Sequence, residues 1–405
     1  MACLVALFRD RSERMMYQPD YDVTVVGAGP AGSRTAEALA QRGFRVALLE
    51  KREVVGEPVH CTGIVSDECF QRYNLPDSLV IRPITSFVLR SPSGRPAHLA
   101  RKNKQAHVLD RVALDRLLAD RAVSAGAELM KTFSVDDVTW MGDHVEVQGT
   151  HEGHPAGLTS RAAVIATGYG SKLPRRAGLG GASDYASGCQ AVVETEIFDD
   201  IQVFTGGALG DGGFGWLVPW KPGLALTGLI TRRDTMSYLR AHVTKLQDSG
   251  QVGAVRELFR CRGIPLGITQ RSVADGVLGV GDAVGQVKPT SGGGIYFGLL
   301  GAEEAAGTLA ESLAAGDVSA ASLAPYEHRW RALLGAEIHQ GYALRQLIEQ
   351  LPDPVVEQMH RLLTVPGLRR LLVAAAPSFD WHSGPLTSLL ARLSRQSKSA
   401  QPSIN

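Results

Sequence analysis

Hydrophobic residues near the start of the chain form two short runs separated by a helical pattern. Residues 23–26 and 46–49 are apolar runs of strand length, and apolar positions recur at helical spacing over residues 33–42 between them. Short apolar runs of this kind are typical of parallel strands that are buried on both faces. The pattern predicts a βαβ unit over residues 21–50.

Further along, the same patterns predict mixed strands and helices followed by a helical end. A helix is predicted over 111–122 and a long one over 295–315, and strand patterns cover 128–130, 133–147, 162–167 and 276–281. Residues 186–232 alternate and are rich in glycine and aromatic residues, which predicts an antiparallel sheet. From residue 324 the pattern is helical, and no internal repeat is seen.

The turn of the predicted βαβ unit carries a glycine motif. Gly27-Ala-Gly29-Pro-Ala31-Gly32 has the spacing Gly-x-Gly-x-x-Gly, and the second strand ends on Glu50. Gly27 makes the tight turn, Gly29 lets a pyrophosphate approach the backbone, and Gly32 lets the helix pack on the strand. The helix N-terminus stabilises phosphate charge, and Glu50 can accept hydrogen bonds from ribose hydroxyls. This context predicts a bound adenine dinucleotide.

A second match to the glycine spacing is interpreted differently. Residues 210–215 also fit Gly-x-Gly-x-x-Gly, but no apolar strand precedes them and Trp216-Leu-Val-Pro219 follows where a helix should begin. We interpret this segment as a loop.

Composition excludes several classes of protein. The 405 residues exceed one simple core, so about two domains are expected. A net charge of +1 argues against a nucleic-acid partner. The five cysteines contain no Cys-x-x-Cys pair, so neither a disulfide framework nor a metal site is predicted, and a reducing cytoplasm fits best. No stretch is long enough to cross a bilayer, so any membrane contact is expected to be peripheral.

Several separate motifs over residues 20–315 resemble the FAD-dependent geranylgeranyl reductase family, which has the para-hydroxybenzoate hydroxylase-type fold. They are the Gly27 turn with Glu50, Arg111 at a helix start, Ala166-Thr167-Gly168, Gly281-Asp282-Ala283 and the loop Lys288-Pro-Thr-Ser-Gly292-Gly293-Gly294. The resemblance implies non-covalent FAD bound by Gly27, Gly29, Ala31, Gly32, Glu50, Lys51, Cys61, Arg111, Thr167, Gly168, Gly281, Asp282, Pro289, Gly292, Gly293, Gly294 and Ile295.

The fold class that the resemblance implies is α/β (α+β overall), with an inserted sheet. Residues 20–80, 100–180 and 270–320 are expected to form a discontinuous Rossmann-like FAD-binding domain. An antiparallel β-sheet domain for substrate is expected from 81–99 and 181–269, followed by C-terminal helices over 321–393. Segments 1–19 and 394–405 are expected to be flexible tails, and Met15 or Met16 is an alternative start.

Two further motifs resemble the family's substrate side. The loop Pro58-Val-His-Cys61-Thr-Gly63 is similar to one that places a cysteine near the flavin ring, and Phe214-Gly-Trp216-Leu-Val218-Pro219 resembles an aromatic wall for a prenyl chain. Phe214 and Val218 depart from the usual tyrosine and phenylalanine. The implied substrate-binding residues are Phe214, Trp216, Pro219, Trp220 and Tyr296.

The implied reaction is hydride transfer from reduced flavin to a prenyl alkene, with a proton added to the other carbon. Cys61 is the implied catalytic residue, as a proton donor or as a residue that shapes the ring face, and His60 is an alternative proton source. Each assignment has a structural alternative: Cys61 as a buried structural thiol, Trp216 and Phe214 as sheet core, and residues 359–374 as a helix packed on the body. For the last, packing is favoured over contact with a lipid interface.

The substrate left open is a prenylated lipid, a quinone or a chlorophyll-like ester. The electron donor left open is NADPH or a reduced redox protein such as a ferredoxin. Two rival functions remain: an FAD-dependent monooxygenase or halogenase on the same fold, and a prenyl-binding carrier without catalysis. Thr167-Gly168 stands where hydroxylases usually carry Asp-Gly, which disfavours the first rival.

Overall fold

The computed structural model describes residues 18–196, 200–375 and 378–384. Within these ranges the helices are α1 (Pro30–Ala40), α2 (Asp67–Arg72), α3 (Arg111–Ser124), α4 (Leu173–Arg176), α5 (Thr235–Asp248), α6 (Ile295–Ala315), α7 (Ala320–Glu349), α8 (Asp353–Thr364) and α9 (Pro366–Ala375). The expected tails, 1–19 and 394–405, lie outside the described residues except for positions 18 and 19.

The described strands form three sheets. In chain order they are β1 (Tyr21–Val26), β2 (Val46–Leu49), β3 (Ile64–Ser66), β4 (Val80–Ile84), β5 (Ser86–Arg90), β6 (Pro96–Ala100), β7 (Ala106–Leu109), β8 (Glu128–Met130), β9 (Phe133–Trp140), β10 (Val145–His151), β11 (His154–Ile165), β12 (Tyr185–Glu194), β13 (Ile201–Thr205), β14 (Phe214–Pro219), β15 (Leu224–Thr231), β16 (Val255–Leu258), β17 (Arg262–Pro265), β18 (Val273–Ala274) and β19 (Val277–Gly279).

The first sheet confirms the predicted βαβ unit. Its order is β18-β19-β11-β1-β2-β8, and β10 and β9 extend it beside β11. Val23 in β1 pairs in parallel with Ala162 on one side and Val46 on the other. These strands are buried because helices α1, α3 and α6 pack in the main apolar core with them. The carboxyl ends of the parallel strands therefore meet at one edge, where ligands bind in open α/β sheets.

The second sheet comes from two separate parts of the chain. Its order is β16-β12-β15-β14-β13-β5-β6, with β17 also paired to β12. The antiparallel prediction for 186–232 is right for the pairs among β12, β13, β14 and β15 but wrong where β13 meets β5, since those two strands run parallel. Helix α5 covers one face, where Leu217 packs with Leu239 and Val243.

A small third sheet, β3-β7-β4, packs on the opposite face of the second sheet. Ile84 and Val108 of the small sheet share an apolar cluster with Val218 and Leu226 of the large one. The second sheet is therefore covered on both faces, by α5 and by the small sheet.

Two predicted elements are divided in the structure. The strand pattern over 133–147 is two strands, β9 and β10, that pair antiparallel around the turn at 141–144. The helical stretch over 359–374 is also divided, because α8 ends at Thr364 and α9 begins at Pro366. Proline has no backbone N–H and clashes with the preceding turn, so it starts a new helix rather than continuing one. No helix among the described residues is both long and apolar enough to span a bilayer.

Candidate functional site

The turn between β1 and α1 is packed so tightly that two of its glycines admit no side chain. A Cβ on Gly27, whose φ is +108°, would lie 2.5 Å from the carbonyl oxygen of Ala166. A Cβ on Gly32 would lie 1.9 Å from the carbonyl oxygen of Gly27. At Gly29, by contrast, no other atom lies within 4 Å of the Cβ position. The protein's own packing explains Gly27 and Gly32, whereas Gly29 leaves open space for a ligand.

The start of α1 presents uncompensated amide dipoles to that space. No side chain caps the helix and its first turn contains no acidic residue, so its partial positive charge is available to an anion. Glu50 lies beside the turn and accepts hydrogen bonds from the amides of Ala28 (3.1 Å) and Arg52 (2.9 Å). Its carboxylate is thereby oriented, and it retains lone pairs for ribose hydroxyls.

Arg111 and Cys61 meet at the start of α3. Arg111 donates to both carboxylate oxygens of Asp115 at 2.7 and 2.8 Å. Burial works to lower the pKa of Arg111, but the Asp115 carboxylate and then the nearby Cys61 side chain raise it above its usual value. The Nε of Arg111 is buried without a hydrogen-bond partner among the described residues. This unused donor fits an anionic ligand at the same place.

Asp282 connects this cluster to the triple-glycine loop. It follows Gly281, whose φ is +67°, and burial raises the pKa of its carboxyl to about 6 although the charge of Arg111 acts to lower it. A Cβ on Gly294 would lie 2.5 Å from an oxygen of Asp282. Cys61, Arg111, Asp282 and Gly294 therefore form a series of neighbours.

Helices α1 and α6 converge on the same point. The Cβ positions of Gly281 and Gly298 lie 3.1 and 3.3 Å from the side chain of Ala31. The N-cap of α6 is Gly294, which like the N-cap of α1 has no capping side chain. Two helix N-termini thus direct partial positive charge toward one cleft, as a dinucleotide requires.

The triple-glycine loop is held in place from outside the predicted site. The amide of Lys288 donates to Gly293 O (3.1 Å) and that of Gly292 donates to Lys288 O (2.8 Å). The ammonium of Lys288 forms a buried ion pair with Asp380. Arg345 of α7 donates to Pro289 O at 3.1 Å. Neither Asp380 nor Arg345 was predicted from the sequence. The signal that could have pointed to Asp380 is Lys288 itself, since a lysine that is buried in the fold requires an anionic partner.

An apolar cluster adjoins the loop on its other side. Phe214 and Trp216 on β14 pack with Ile230 and Ile264, and their two rings lie 6.0 Å apart. The Trp216 ring occupies the space above Gly228, where a Cβ would lie 2.4 Å from it. A Cβ on Gly292 would touch both isoleucines, at 3.0 and 3.3 Å. We name Phe214, Trp216, Ile230 and Ile264 the aromatic wall.

Three of the predicted substrate residues lie apart from this wall or at its edge. Trp220 packs in the neighbouring cluster between the second and third sheets, with Lys221 Nζ over its ring at 4.3 Å. Pro219 shares the strand parity of Leu217, so it lies on the face toward α5. Tyr296 is buried in the main core, and its hydroxyl donates to Glu68 at 2.7 Å.

His60 is a neutral side chain in this structure. Burial and then the charges of Arg262 and Arg52 lower its pKa to about 4. Arg262 donates to His60 Nε2 at 2.9 Å, so the ring proton is on Nδ1. A neutral imidazole N–H is a poor acid, which weakens His60 as the alternative proton source.

The cleft as a whole fits an adenine dinucleotide that carries a flavin. The Thr167 hydroxyl and the Arg111 Nε are buried without partners among the described residues. Of the predicted cofactor residues, Gly32, Gly281 and Pro289 are buried and Lys51 is exposed, while the others are half-buried, as the lining of a cleft should be.

Comparisons with known proteins agree with this assignment. The family model described as pyridine nucleotide-disulphide oxidoreductase matches residues 21–207. A digeranylgeranylglycerophospholipid reductase of Methanothrix thermoacetophila is 30% identical over 386 residues, which cover 89% of this chain and 98% of that protein.

Solved structures share the fold. One is a geranylgeranyl bacteriochlorophyll reductase-like protein from Thermoplasma acidophilum, with a TM-score of 0.78 and 22% identity over 85% of this chain and 91% of that one. Another is a variant of the halogenase PltM in complex with FAD, with a TM-score of 0.66 and 14% identity over 94% and 93% of the two chains. On the identity and coverage of the curated relative, together with the dinucleotide cleft, the chain belongs to the geranylgeranyl reductase family of flavin-dependent oxidoreductases.

Proposed function

We propose that this protein is an FAD-dependent reductase that adds hydrogen across C=C bonds of a geranylgeranyl-type chain on a lipid, quinone or chlorophyll-like substrate. The observation that carries the proposal is the closeness of Ile230 and Ile264 of the aromatic wall to Gly292, where a Cβ would lie 3.0 and 3.3 Å from them. It supports an apolar surface for a prenyl chain beside the loop assigned to the flavin. Neither a nucleotide-binding module nor a lipid carrier requires an apolar surface next to a flavin-binding loop.

FAD would be held by the Gly27 turn, Glu50, Arg111, Asp282 and the Gly292 loop. When bound and reduced, it supplies the hydride. Amides at the start of α6, such as that of Gly294, would stabilise negative charge on the cofactor. The proposed ribose and pyrophosphate contacts are those of Glu50 and of the open space at Gly29.

The aromatic wall would serve an alkene that nothing in the substrate polarises. Positive charge develops on the chain as the proton and hydride are added, and an aromatic face stabilises such charge by about 0.5–2 kcal/mol. Phe214 and Trp216, which pack with Ile230, would take this role. The apolar surroundings also exclude water, which would otherwise capture a cationic carbon.

Cys61 remains the proposed proton donor. Its sulfur accepts a hydrogen bond from the amide of Gly63 at 3.4 Å and lies near the Arg111 guanidinium. Gly63 holds the loop against β7, because a Cβ there would lie 2.3 Å from the carbonyl oxygen of Leu109. The thiol is thereby fixed at the edge of the dinucleotide cleft.

The electron donor is proposed to be NADPH acting transiently at the flavin or a reduced redox protein such as a ferredoxin. The described residues contain one strand-turn-helix dinucleotide unit, since residues 210–213 form a turn that leads into β14 rather than into a helix. A prenylated lipid resides in a membrane, so we also propose a peripheral membrane contact.

Anaerobic incubation of the chemically reduced holoenzyme with a geranylgeranyl lipid tests the proposal. Mass spectrometry should show a gain of two hydrogens for each double bond reduced, with stoichiometric flavin oxidation. A halogenated or hydroxylated product that requires oxygen would favour the rival that the halogenase folds represent. Purified protein without a flavin band near about 450 nm would instead favour a non-catalytic carrier.

A further inference from the structure

Helix α8 carries a row of apolar side chains that faces solvent. Val355, Met359, Leu362 and the following Val365 are 38%, 40%, 47% and 51% exposed. Their spacings of four, three and three residues place them on one side of a helix and its end. We name these four residues the α8 stripe. Single exposed apolar residues are ordinary, but an aligned row is typical of a binding surface.

The opposite side of α8 is fixed to the body of the protein. His360 is 2% exposed and its Nε2 donates to Leu89 O in β5 at 3.0 Å. Glu357 accepts from the hydroxyl of Ser93 at 3.0 Å, and Asp353 accepts from the amide of Gly207 at 2.7 Å. These contacts fix the rotation of α8 about its axis. Because the polar side of the helix is bound to the body of the protein, its apolar row faces solvent. Helix α8 therefore packs on the body of the protein as preferred from the sequence, but with its polar side, and its apolar row faces solvent.

Exposed basic side chains lie on α8 itself and on the elements next to it. Arg361 on α8 and Arg370 on α9 are exposed, and so are Lys102 and Lys104 in the loop after β6. That loop is tied to α9 by a hydrogen bond from Arg101 to Val373 O, and α8 packs on both β6 and α9. The two acids of α8 are both bonded toward the body, as described above. The apolar row thus adjoins elements that carry four exposed basic side chains, although the chain as a whole has a net charge of only +1.

We propose that the α8 stripe and these basic side chains dock the protein on an anionic lipid bilayer. An amphipathic helix of this kind lies in the interface with its apolar face among the acyl chains, while Lys and Arg side chains contact anionic headgroups. Positive charge around the apolar row favours a membrane over a second copy of this chain, whose own basic side chains would be repelled. The inference rests on the proposed function in one respect: the bilayer is the source of the prenyl lipid.

Vesicle co-sedimentation of the full-length holoenzyme tests this docking. Vesicles of phosphatidylcholine alone are compared with vesicles that also contain about a third phosphatidylglycerol, an anionic lipid. The unchanged protein should sediment with the anionic vesicles, and Met359→Asp/Leu362→Asp should lower the partition coefficient at least tenfold. Lys102→Glu/Lys104→Glu should lower the partition coefficient on anionic vesicles only. Added salt should likewise lower the binding of the unchanged protein to anionic vesicles.

A matched control uses equally exposed apolar residues elsewhere. Val123 on α3 and Met141 in the β9–β10 turn are 45% and 50% exposed. Val123→Asp/Met141→Asp should bind vesicles like the unchanged protein. Flavin content and activity on a detergent-dispersed prenyl substrate should be unaffected in all three variants, whereas activity on a vesicle-embedded lipid should fall only in the α8 and lysine variants.

Each contrary outcome is distinct. Equal binding of the stripe variant and the control overturns the docking proposal. The docking proposal is also overturned if the protein forms a concentration-dependent dimer that Met359→Asp/Leu362→Asp abolishes, since the stripe would then join two copies. Vesicle binding that appears only after removal of residues 1–17 or 385–405 would show that the chain itself covers the stripe. Normal vesicle binding without reduction of any prenyl substrate would contradict the proposed function and leave the docking intact.

Discussion

The glycine turn before α1 and the aromatic wall on β14 both belong to the proposed site but are built in opposite ways. In the turn, backbone atoms fill the space, and the Cβ position of Gly32 is already occupied by a carbonyl oxygen. In the wall, side chains fill the space, and the Trp216 ring occupies the place left by Gly228. A backbone-built site depends on residues that lack a side chain. In a wall that is built from side chains, residues can be substituted as long as the total volume and the apolar character are kept.

This contrast explains where the chain departs from its family's pattern. Both departures, Phe214 and Val218, lie on β14, the strand that carries the wall, and none lies in the glycine turn. Val218 is fully buried against Leu226 and the small third sheet. A larger ring there would need compensating changes in that cluster.

The largest effect is expected at Gly32, where the backbone-built site is tested directly. Gly32→Ala places a Cβ 1.9 Å from Gly27 O, so α1 must move off the strand. We expect the free energy of unfolding to fall by about 3 kcal/mol or more, with loss of flavin. Thermal denaturation and flavin content measure this. Gly29→Ala is the control: it should fold normally and bind FAD at least tenfold more weakly. Normal FAD affinity in Gly29→Ala would show that the pyrophosphate does not approach there.

Asp380→Asn tests whether the loop between the two regions depends on its buried ion pair. The change leaves the Lys288 ammonium buried without an opposite charge, which typically costs about 3–5 kcal/mol. We expect lower thermal stability and weaker FAD binding. Lys288→Met/Asp380→Leu should recover much of the stability, because it removes both charges. If the double variant is no more stable than Asp380→Asn, charge pairing is not what holds the loop.

The third prediction concerns pH and Asp282. Its folded-state pKa of about 6 lies above the 3.8 of a free side chain. Between these values the folded protein binds more protons than the unfolded chain, so stability is greatest below about pH 4 for this group and falls as pH rises through 6. For protein stripped of flavin, the loss over the whole range is about 3 kcal/mol. Denaturant titrations from pH 4 to 7 should show this fall, and Asp282→Asn should flatten it.

Trp216→Ala tests the wall without disturbing the turn. Removal of the indole should lower kcat/KM for a prenyl substrate about tenfold, or about 1.4 kcal/mol of transition-state stabilisation, with normal flavin content. Phe204→Ala is the control, since Phe204 packs on the α5 face of the same sheet against His242. It should lose stability but not kcat/KM. Equal kinetic losses in both variants would mean that the wall acts only through sheet stability.

The smallest effect is expected at Gly307, a glycine that belongs neither to the glycine turn nor to the aromatic wall. Gly307 lies inside α6, and a Cβ there would meet no other atom within 4 Å. Gly307→Ala should stabilise the protein by about 0.5–1 kcal/mol, because alanine has the higher helix propensity. Denaturant titration measures this. If Gly307→Ala is destabilised, open space around a glycine does not predict whether this protein tolerates a side chain there. The open space at Gly29 would then be weaker evidence for a ligand.

Much of the cofactor cleft could be predicted from the sequence because its signals are local. The spacing of Gly27, Gly29 and Gly32 after an apolar run identifies the turn from one short segment, and Gly281-Asp282 follows a strand in the same way. The wall was only partly predicted. Trp216 packs with Ile230, which adjoins the Gly292 loop, whereas Pro219, Trp220 and Tyr296 pack in other parts of the structure. A strand or helix motif does not say which neighbours each of its faces will meet, and the role of these residues with substrate stays a prediction.

By itself, the sequence determined the dinucleotide turn, the long helix α6 and the parallel order of β1 and β2, since each depends on residue types at short spacing. Only the tertiary structure decided that Asp380 pairs with Lys288 across 92 positions and that Cys61 lies beside Arg111. It also decided that the apolar side of α8 faces outward. Periodicity shows that a helix has two different faces, but which face is buried depends on the partners that distant segments supply.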